Sequence, residues 1–374
     1  MDKGNLLLTG LVVLLFLVGL VMVFGTTSAE VIALGSHLPT HRALINQGLH
    51  AIVGIAGAIG VRAVGYRMLL RKAPYLFYAV TICLIMVFVP GIGKNINGAR
   101  RWITLGPLSF QPSECMKPVI PLMFLHLFLR SGKTFSFFRF CATVLLLCVP
   151  LFLILLEPDN GTVVILLATL AVLCFLSRIP WTYWVLPLLC VVIAGLLIAI
   201  RMPHVRSRID TYLHPEKDLL GKGHQPYQAK VAAGSGGMFG RGPGKSVQKL
   251  NYLPTARSDY IVAIYAEEFG FIGILFLVIL YMAIACCGFR NALRARTEEG
   301  HIIAAVMTFS VAFQAFLNLG VVSGLLPSKG TNLPFFSQGG SSLIVNSLIL
   351  ALTVDVAEVP KFERKEKYLA AETG

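Results

Sequence analysis

The chain has 374 residues, of which 56% are hydrophobic and 13% are charged, and its mean hydropathy is +0.76. Soluble proteins carry about 25% charged residues, so this composition excludes a soluble globular protein. The formal net charge of +14 favours anionic lipid head groups or phosphates as ligands. Nucleic acid is a poor alternative, because the sequence has no soluble domain that could present a binding face.

Apolar runs of roughly 20 residues recur along the chain, and about 20 residues cross a hydrocarbon core as a helix. In chain order they are residues 6–24, 48–64, 75–89, 115–129, 138–156, 162–176, 181–200, 260–287, 302–326 and 341–356. The first could pass for a signal peptide, but its apolar run is too long, and we interpret it as a membrane helix. The sixth is short and is either a span or a re-entrant segment. The sequence predicts an all-α polytopic membrane protein with about ten transmembrane helices.

The distribution of basic residues predicts the orientation of these helices. An even number of spans places both termini on one side, and the basic residues divide evenly between the two sets of connections. Many of those on one side belong to the connection at 201–258, and long loops have less influence on orientation. We therefore expect both termini in the cytoplasm and a long extracytoplasmic loop between the seventh and eighth helices. Residues 357–374 form a predicted cytoplasmic tail of a single domain that covers residues 1–374.

An isolated acid, Asp259, stands at the start of the eighth predicted helix. It follows the turn-rich stretch QKLNYLPTARS and precedes an apolar span. Ionisable groups at membrane depth usually mark a functional path, and a carboxylate in such a place can take a proton from a sugar hydroxyl. Asp259 is therefore our candidate catalytic base, acting on an anionic lipid-linked substrate. A helix N-cap is the alternative role, and the two roles are compatible.

Polar, turn-rich segments concentrate on the same predicted face of the membrane. One contains Arg101 beside Trp102, which is either an interfacial anchor or a guanidinium clamp for a diphosphate. Residues Gln111 to Glu114 precede the fourth apolar run in a pattern typical of a helix start. Lys117 follows Glu114 at a spacing of three, which also suits a local ion pair.

Two later connections are rich in glycine. The stretch GSGGMFGRGPGKS superficially resembles a phosphate-binding loop, but it lacks the GxxxxGK[ST] spacing and no strand precedes it. We interpret it as a flexible loop that approaches a large substrate. The last connection contains Lys329 and the sequence GGSS that includes Ser341. Its glycines and serines form either a tight turn or a helix N-terminus around an anion.

Polar pairs also occur within the predicted helices. Gln314 and Asn318 are one turn apart in the ninth, where interhelical hydrogen bonding is the expected role. Glu267 and Glu268 lie about two turns beyond Asp259, and we expect one of them to pair with a cation in the protein interior and the other to be structural.

The motifs occur in an order that resembles the SEDS family (shape, elongation, division and sporulation), the polytopic peptidoglycan polymerases of bacteria. The elements are GARRWITLG, FQPSE, PDNGT, QKLNYLP, AEEFG and LPFFSQGGSS, and they extend over nearly the whole chain. Two stretches are more similar to division-type than to elongation-type members: QKLNYLP and PSKGTNLPF. One departure is Glu157, which stands where the family more usually has Gln.

The resemblance implies an inverting glycosyltransferase that polymerises glycan strands from lipid II in the cytoplasmic (inner) membrane. The implied partners are a class B penicillin-binding protein and other division proteins. The family's essential acid falls on Asp259, and its clamp and helix-start residues fall on Arg101, Gln111, Glu114 and Lys117. Further candidate ligands of the diphosphate are Lys249, Arg257, Lys329 and Ser341.

A divalent cation, Mg or Mn, is an expected helper in stabilising the leaving diphosphate. The sequence shows no firm metal site, because its eight cysteines have no CxxC or Cys/His ligand spacing. Two other functions remain open from the residues. A flippase for lipid II or another anionic lipid would also use basic outer loops and interior polar groups, and a purely structural division scaffold would not need Asp259.

Overall fold

The computed structural model describes residues 3–34, 41–96, 99–105, 108–132, 135–202, 205, 210, 212, 224–249, 258–327 and 330–358. Two candidate ligands, Arg257 and Lys329, lie outside the described residues. So do residues 359–374, which make up most of the predicted tail.

The described part of the chain is built mainly from helices. They are α1 (Lys3–Leu34), α2 (His41–Val64), α3 (Tyr66–Val87), α4 (Pro112–Ser131), α5 (Phe137–Leu156), α6 (Asn160–Leu176), α7 (Trp181–Arg201), α8 (His224–Ser235), α9 (Ile261–Leu293), α10 (Glu298–Val322) and α11 (Gly340–Ala357). Each predicted apolar run falls on one of these helices, and only the short α8 has no counterpart among the predictions.

Eight of the described helices are long and apolar enough to cross a membrane. The two other helices that carry predicted spans are α6, with 17 residues, and α4, whose first turns contain the buried pair Glu114 and Lys117. The helices do not have equal surroundings. Most of α10 is buried, whereas the most apolar window of α7 has no buried residue, as expected for a helix that faces lipid. The chain is therefore a polytopic α-helical membrane protein.

A small antiparallel sheet precedes α4 and was not predicted. Its strands are β1 (Gly93–Ile96), β2 (Ala99–Leu105) and β3 (Leu108–Phe110), in the order β1-β2-β3. The strands are short, and the register shifts between Lys94 and Asn95. A bulge of this kind breaks the alternation that normally identifies a strand. The sheet carries Arg101 and leads directly into the first turn of α4.

The glycine-rich stretch after α8 is docked on a kink in α9. Gly270 has φ +65° and ψ −163°, which interrupts the helix, and the amide of Phe271 donates to the carbonyl of Gly237 at 2.9 Å. A β-carbon at Gly270 would overlap the backbone of Gly240. The stretch that the sequence suggested as a flexible loop is thus held against a helix, and glycine is needed where the two backbones meet.

Replacing Gly270 by Ala is expected to loosen this docking, because the left-handed φ and the backbone overlap both oppose a β-carbon, at a cost of about 1–3 kcal/mol for the conformation alone. Limited proteolysis with trypsin measures the effect through faster cleavage after Arg241 and Lys245. The matched control is Gly234→Ala, since no atom lies within 4 Å of a β-carbon at that position. Equal cleavage rates for the two variants would contradict the docking.

Candidate functional site

The connection between α5 and α6 is organised around the buried carboxylate of Asp159. This residue is the N-cap of α6, where it accepts hydrogen bonds from the Thr162 amide at 3.3 Å and from the Thr162 hydroxyl at 2.9 Å. Gln111 Nε2 and Ser113 Oγ donate to its Oδ2 at 3.0 and 2.9 Å. The carboxylate therefore ties the start of α4 to the start of α6. Its signal in the sequence is an Asp three residues before a Thr at a helix start.

Arg101, on β2, holds the same connection from the other side. Its Nε donates to the carbonyl of Glu157 at 2.7 Å, and its Nη2 donates to the carbonyl of Pro158 at 2.6 Å. Two of the guanidinium nitrogens are thus occupied by backbone acceptors. The arginine positions the α5–α6 connection in this structure, and its direct contact with a diphosphate stays a prediction.

Gln111 and Ser341, both candidate ligands, are brought together by the fold. The backbone N–H of Gln111 donates to Ser341 Oγ at 2.9 Å, and the Ser341 hydroxyl donates to the backbone carbonyl of Ser109 at 3.2 Å. Ser341 is in the first turn of α11, so these bonds join the start of α11 to β3 and to the N-cap of α4. The GGSS sequence therefore opens a helix beside the residues that surround Asp159.

Glu114 and Lys117 form a buried ion pair on the first turns of α4. Lys117 is 1% exposed, and its Nζ donates to the two carboxylate oxygens of Glu114 at 2.9 and 2.8 Å and to Gln314 Oε1 at 2.8 Å. Three oxygen acceptors match the three donors of an ammonium group. The ion pair that the spacing suggested is present, and a direct contact between Lys117 and a phosphate stays a prediction.

Gln314 and Asn318 connect this ion pair to Asp259. Asn318 lies one turn beyond Gln314 on α10, and its Nδ2 donates to the backbone carbonyls of Asp259 at 3.0 Å and Thr331 at 2.7 Å. The predicted interhelical hydrogen bond is present for Gln314, which accepts from Lys117 on α4, whereas Asn318 bonds to the connections before α9 and after α10. These bonds place the backbone of Asp259 about one helical turn from the residue that accepts from Lys117.

Asp259 itself is half-buried at the opening of α9. The N-cap position of α9 is occupied by Tyr260, directly after Asp259, and the Tyr260 side chain makes no capping bond. A β-carbon at Gly330 would lie 3.4 Å from Asp259 Oδ2. The carboxylate of Asp259 therefore faces the connection between α10 and α11 at Gly330, which has no side chain.

Glu267 and Glu268 both pair with cations from the docked glycine-rich stretch. Glu267 accepts from Ser246 Oγ at 2.5 Å and forms an ion pair with Arg241 at 3.1 Å. Glu268 accepts from Lys249 Nζ at 2.8 Å. Both acids thus act as structural anchors. Lys249, a candidate phosphate ligand, has an acidic partner about two turns into α9, and its contact with a phosphate stays a prediction.

Glu157 is a buried acid outside the spanning segments, in the α5–α6 connection. It is 1% exposed, and neither carboxyl oxygen accepts a hydrogen bond from any residue that the structure describes. The pKa of Glu157 is raised from 4.5 to about 9, chiefly by burial and also by the nearby Asp159, while Arg101 opposes the rise. The carboxyl group is therefore protonated at neutral pH. A protonated glutamic acid has nearly the shape of glutamine, the residue that the family resemblance places here more usually.

This burial predicts a pH-dependent stability. Folded Glu157 binds its proton more tightly than unfolded Glu157. Its contribution to the free energy of unfolding therefore falls as pH rises between about 5 and 9, by at most about 1.4 kcal/mol per pH unit. Glu157→Gln should remove that contribution and flatten the dependence of the thermal unfolding midpoint on pH in this window. The control is Glu298→Gln, an exposed acid in the first turn of α10, which should leave the slope unchanged. An unchanged slope for Glu157→Gln would contradict a protonated Glu157.

Within the residues described here, no group of three or more His, Cys, Asp or Glu side chains is placed to hold a metal ion. Magnesium is commonly bound through one or two carboxylates plus substrate phosphates, an arrangement that does not need such a group.

The fold and the site define a polytopic helical membrane protein in which the starts of α4, α6, α9 and α11 are joined by a buried polar network. A family model described as a cell cycle protein, covering FtsW, RodA and SpoVE, matches residues 5–361. The chain belongs to this family, and the predicted resemblance to SEDS proteins is confirmed.

Curated relatives and solved structures agree with this assignment. The chain is 35% identical over 354 residues to the probable peptidoglycan glycosyltransferase FtsW of Legionella pneumophila, covering 93% of this chain and 89% of that protein. It is also 35% identical to the corresponding protein of Nitrosomonas europaea, with coverages of 96% and 94%.

Two solved structures share the fold. The first is a chain from a structure described as "Structural coordination of polymerization and crosslinking by a peptidoglycan synthase complex", with a TM-score of 0.73 and 27% identity over 94% of this chain and 96% of that one. The second is the rod shape determining protein RodA of Thermus thermophilus, with a TM-score of 0.68 and 28% identity, over 94% and 95% of the two chains.

Proposed function

We propose that this protein is a peptidoglycan glycosyltransferase that polymerises glycan strands from lipid II during cell division. It acts in the cytoplasmic membrane, with both termini in the cytoplasm and the candidate site on the outer side. The names of the curated relatives support the reaction and the division-type role. The observation that carries the proposal is the hydrogen-bonded path from Lys117 through Gln314 and Asn318, which fixes the backbone of Asp259 at the opening of α9.

Asp259 is the general base in the proposed reaction. Its carboxylate accepts the proton of the 4-hydroxyl of the lipid II GlcNAc, and the hydroxyl oxygen attacks the anomeric carbon of the growing strand from the side opposite the diphosphate. The bond between that carbon and the diphosphate oxygen breaks, and the polyprenyl diphosphate leaves with the electron pair. The configuration at the anomeric carbon is inverted. A positioned base of this kind contributes about 10²–10⁴-fold to the rate.

The leaving diphosphate carries the negative charge that develops, and cations near it stabilise the transition state. The proposed sources are Arg101, Lys117 and Lys249, together with Arg257 and Lys329 from outside the described residues. In the structure, Arg101 and Lys117 also have internal acceptors, so each would position the site and contribute its charge at the same time. When bound, Mg or Mn would act as a Lewis acid on the diphosphate.

The proposed protein partner is a class B penicillin-binding protein, which would cross-link the strands that this protein makes, together with other division proteins. The support is the similarity to a chain from a peptidoglycan synthase complex in which polymerization and crosslinking are coordinated.

Incubation of the purified protein with lipid II, alone and with a class B penicillin-binding protein, tests the enzyme against the flippase. We expect labelled lipid II to be converted to polymer. In liposomes, the same preparation should not move labelled lipid II between leaflets faster than empty liposomes do. Transfer between leaflets without polymer, in the presence of the partner, would support the flippase and contradict the polymerase.

A further inference from the structure

An apolar groove of about 290 Å³ lies between α1, α2 and α11, and none of the candidate site residues lines it. Each helix contributes one face, at the spacing of successive turns. The groove is lined by residues that include Val12 and Phe16 from α1, Ala58 and Arg62 from α2, and Leu350 and Val354 from α11. Its volume is about ten times that of a water molecule.

Two glycines of α2 lie beside its groove-lining residues, where α2 packs on α11. A β-carbon at Gly54 would lie 3.0 Å from Ser347 Oγ, and one at Gly57 would lie 2.8 Å from a methyl group of Leu348. These glycines let α2 and α11 approach closely on one side. The neighbouring face of α2, with Ile55, Ala58 and Ile59, is apolar and lines the groove, which no other side chain of the described residues fills.

One end of the groove is charged. Arg62 Nη2 pairs with Glu358 Oε1 at 2.6 Å, and the Arg62 side chain is still 34% exposed. A guanidinium has five donors, and this ion pair uses only part of them. The same end carries three exposed basic residues in the first two turns of α3: Arg67, Arg71 and Lys72. An anionic group at this end would meet a cluster of positive charges.

The charged end and the candidate site lie at opposite ends of α11. Ser341, beside Gln111, is in the first turn of the helix, and Glu358, beside Arg62, directly follows its last residue. The 18 residues of α11 span about 27 Å, close to the thickness of a hydrocarbon core. A lipid with its phosphate at Arg62 therefore belongs to the leaflet opposite the candidate site.

We propose that this groove is a binding site for an anionic phospholipid of the leaflet on the side where α1 begins and α11 ends. One acyl chain lies along the apolar faces of α1, α2 and α11, and the headgroup phosphate binds the free donors of Arg62. A polyprenyl diphosphate substrate is a different ligand, because its phosphates must reach the other end of these helices. The groove is thus separate from the site proposed for polymerisation.

Native mass spectrometry of the full-length protein in detergent tests this site, with phosphatidylglycerol, phosphatidylcholine and undecaprenyl phosphate as probes. Ala58→Phe fills the groove and should weaken binding of the first phosphatidylglycerol. The matched control is Ala56→Phe, an exposed position on the same helix that does not line the groove. It should bind phosphatidylglycerol as the unmodified protein does. Equal binding by the two variants would overturn the proposal.

The headgroup contact is tested with a second pair of variants, which do not depend on the folding of Ala58→Phe. Arg62→Gln should lower the preference for phosphatidylglycerol over phosphatidylcholine by about fivefold, which corresponds to about 1 kcal/mol for one basic residue near an anionic surface. Glu358→Gln breaks the same ion pair but keeps the arginine, so it should retain or raise the preference. Equal losses in both variants, or binding of undecaprenyl phosphate that Ala58→Phe weakens as much as it weakens binding of phosphatidylglycerol, would overturn the proposal.

Discussion

Replacement of Asp259 by Ala is expected to lower the rate of lipid II polymerisation by at least about 100-fold, because the variant loses the proposed general base. Asp259→Asn should be equally inactive, since an amide has a similar shape but cannot accept the proton. The backbone carbonyl that Asn318 holds is present in both variants, so α9 and α10 should keep their contact. Polymer formation from labelled lipid II measures the rate.

The matched control is Asp210→Asn, which removes an exposed acid from the connection between α7 and α9 and should leave the rate near that of the unmodified protein. Thermal unfolding in detergent shows that each variant is folded. Polymerisation by a folded Asp259→Ala protein within a few-fold of the unmodified rate would rule out the base assignment. A purely structural division scaffold instead predicts that Asp259→Ala makes no difference to polymer formation, because the chain makes no polymer, and that the variant is harmless in cells.

Lys117→Met should have the second large effect, on stability and activity together. The change leaves the Glu114 carboxylate buried without its cation and removes the donor to Gln314. Loss of one member of a buried ion pair costs about 3–5 kcal/mol, so the thermal midpoint should fall markedly. Polymerisation should also fall, because Gln314 and Asn318 are on the helix that positions Asp259.

Two further variants separate the structural from the electrostatic role of Lys117. The double variant Glu114→Gln with Lys117→Met has no unpaired charge, and it should regain most of the lost stability. If the ammonium charge also stabilises the leaving diphosphate, the double variant stays inactive, and recovery of activity would exclude that role. Arg130→Met, an exposed cation in the last turn of the same helix, is the control and should change neither property.

The long helices and the likeness to the family could be predicted from the residues alone. A run of about 20 apolar residues has few alternatives to a membrane helix, because an unsatisfied backbone is costly in lipid. The spacing of Glu114 and Lys117 likewise indicated their ion pair, since neighbouring turns of a helix place such residues together. Local patterns of this kind need no knowledge of the rest of the fold.

The contacts of the candidate site could not be predicted in the same way. Arg101 was a candidate ligand for a phosphate, and only the fold shows that it holds the carbonyls of Glu157 and Pro158. Lys249 was assigned to the same role and is paired with Glu268. The partners of a basic side chain cannot be read from the sequence, because they come from segments that are distant along the chain. The short strands that carry Arg101 also lack the alternation of apolar and polar residues that identifies a strand.

The sequence by itself determined that this protein is a polytopic helical membrane protein of its family, with an acid at the start of a membrane helix. Hydropathy and ordered motifs are properties of residues that are close in the sequence, so they can be recognised without any knowledge of the fold. Only the tertiary structure decided that Glu157 is buried and protonated, and that Asp259 is joined through α10 to the ion pair on α4. Burial and hydrogen bonding depend on which segments pack together, and that information is distributed over the whole chain.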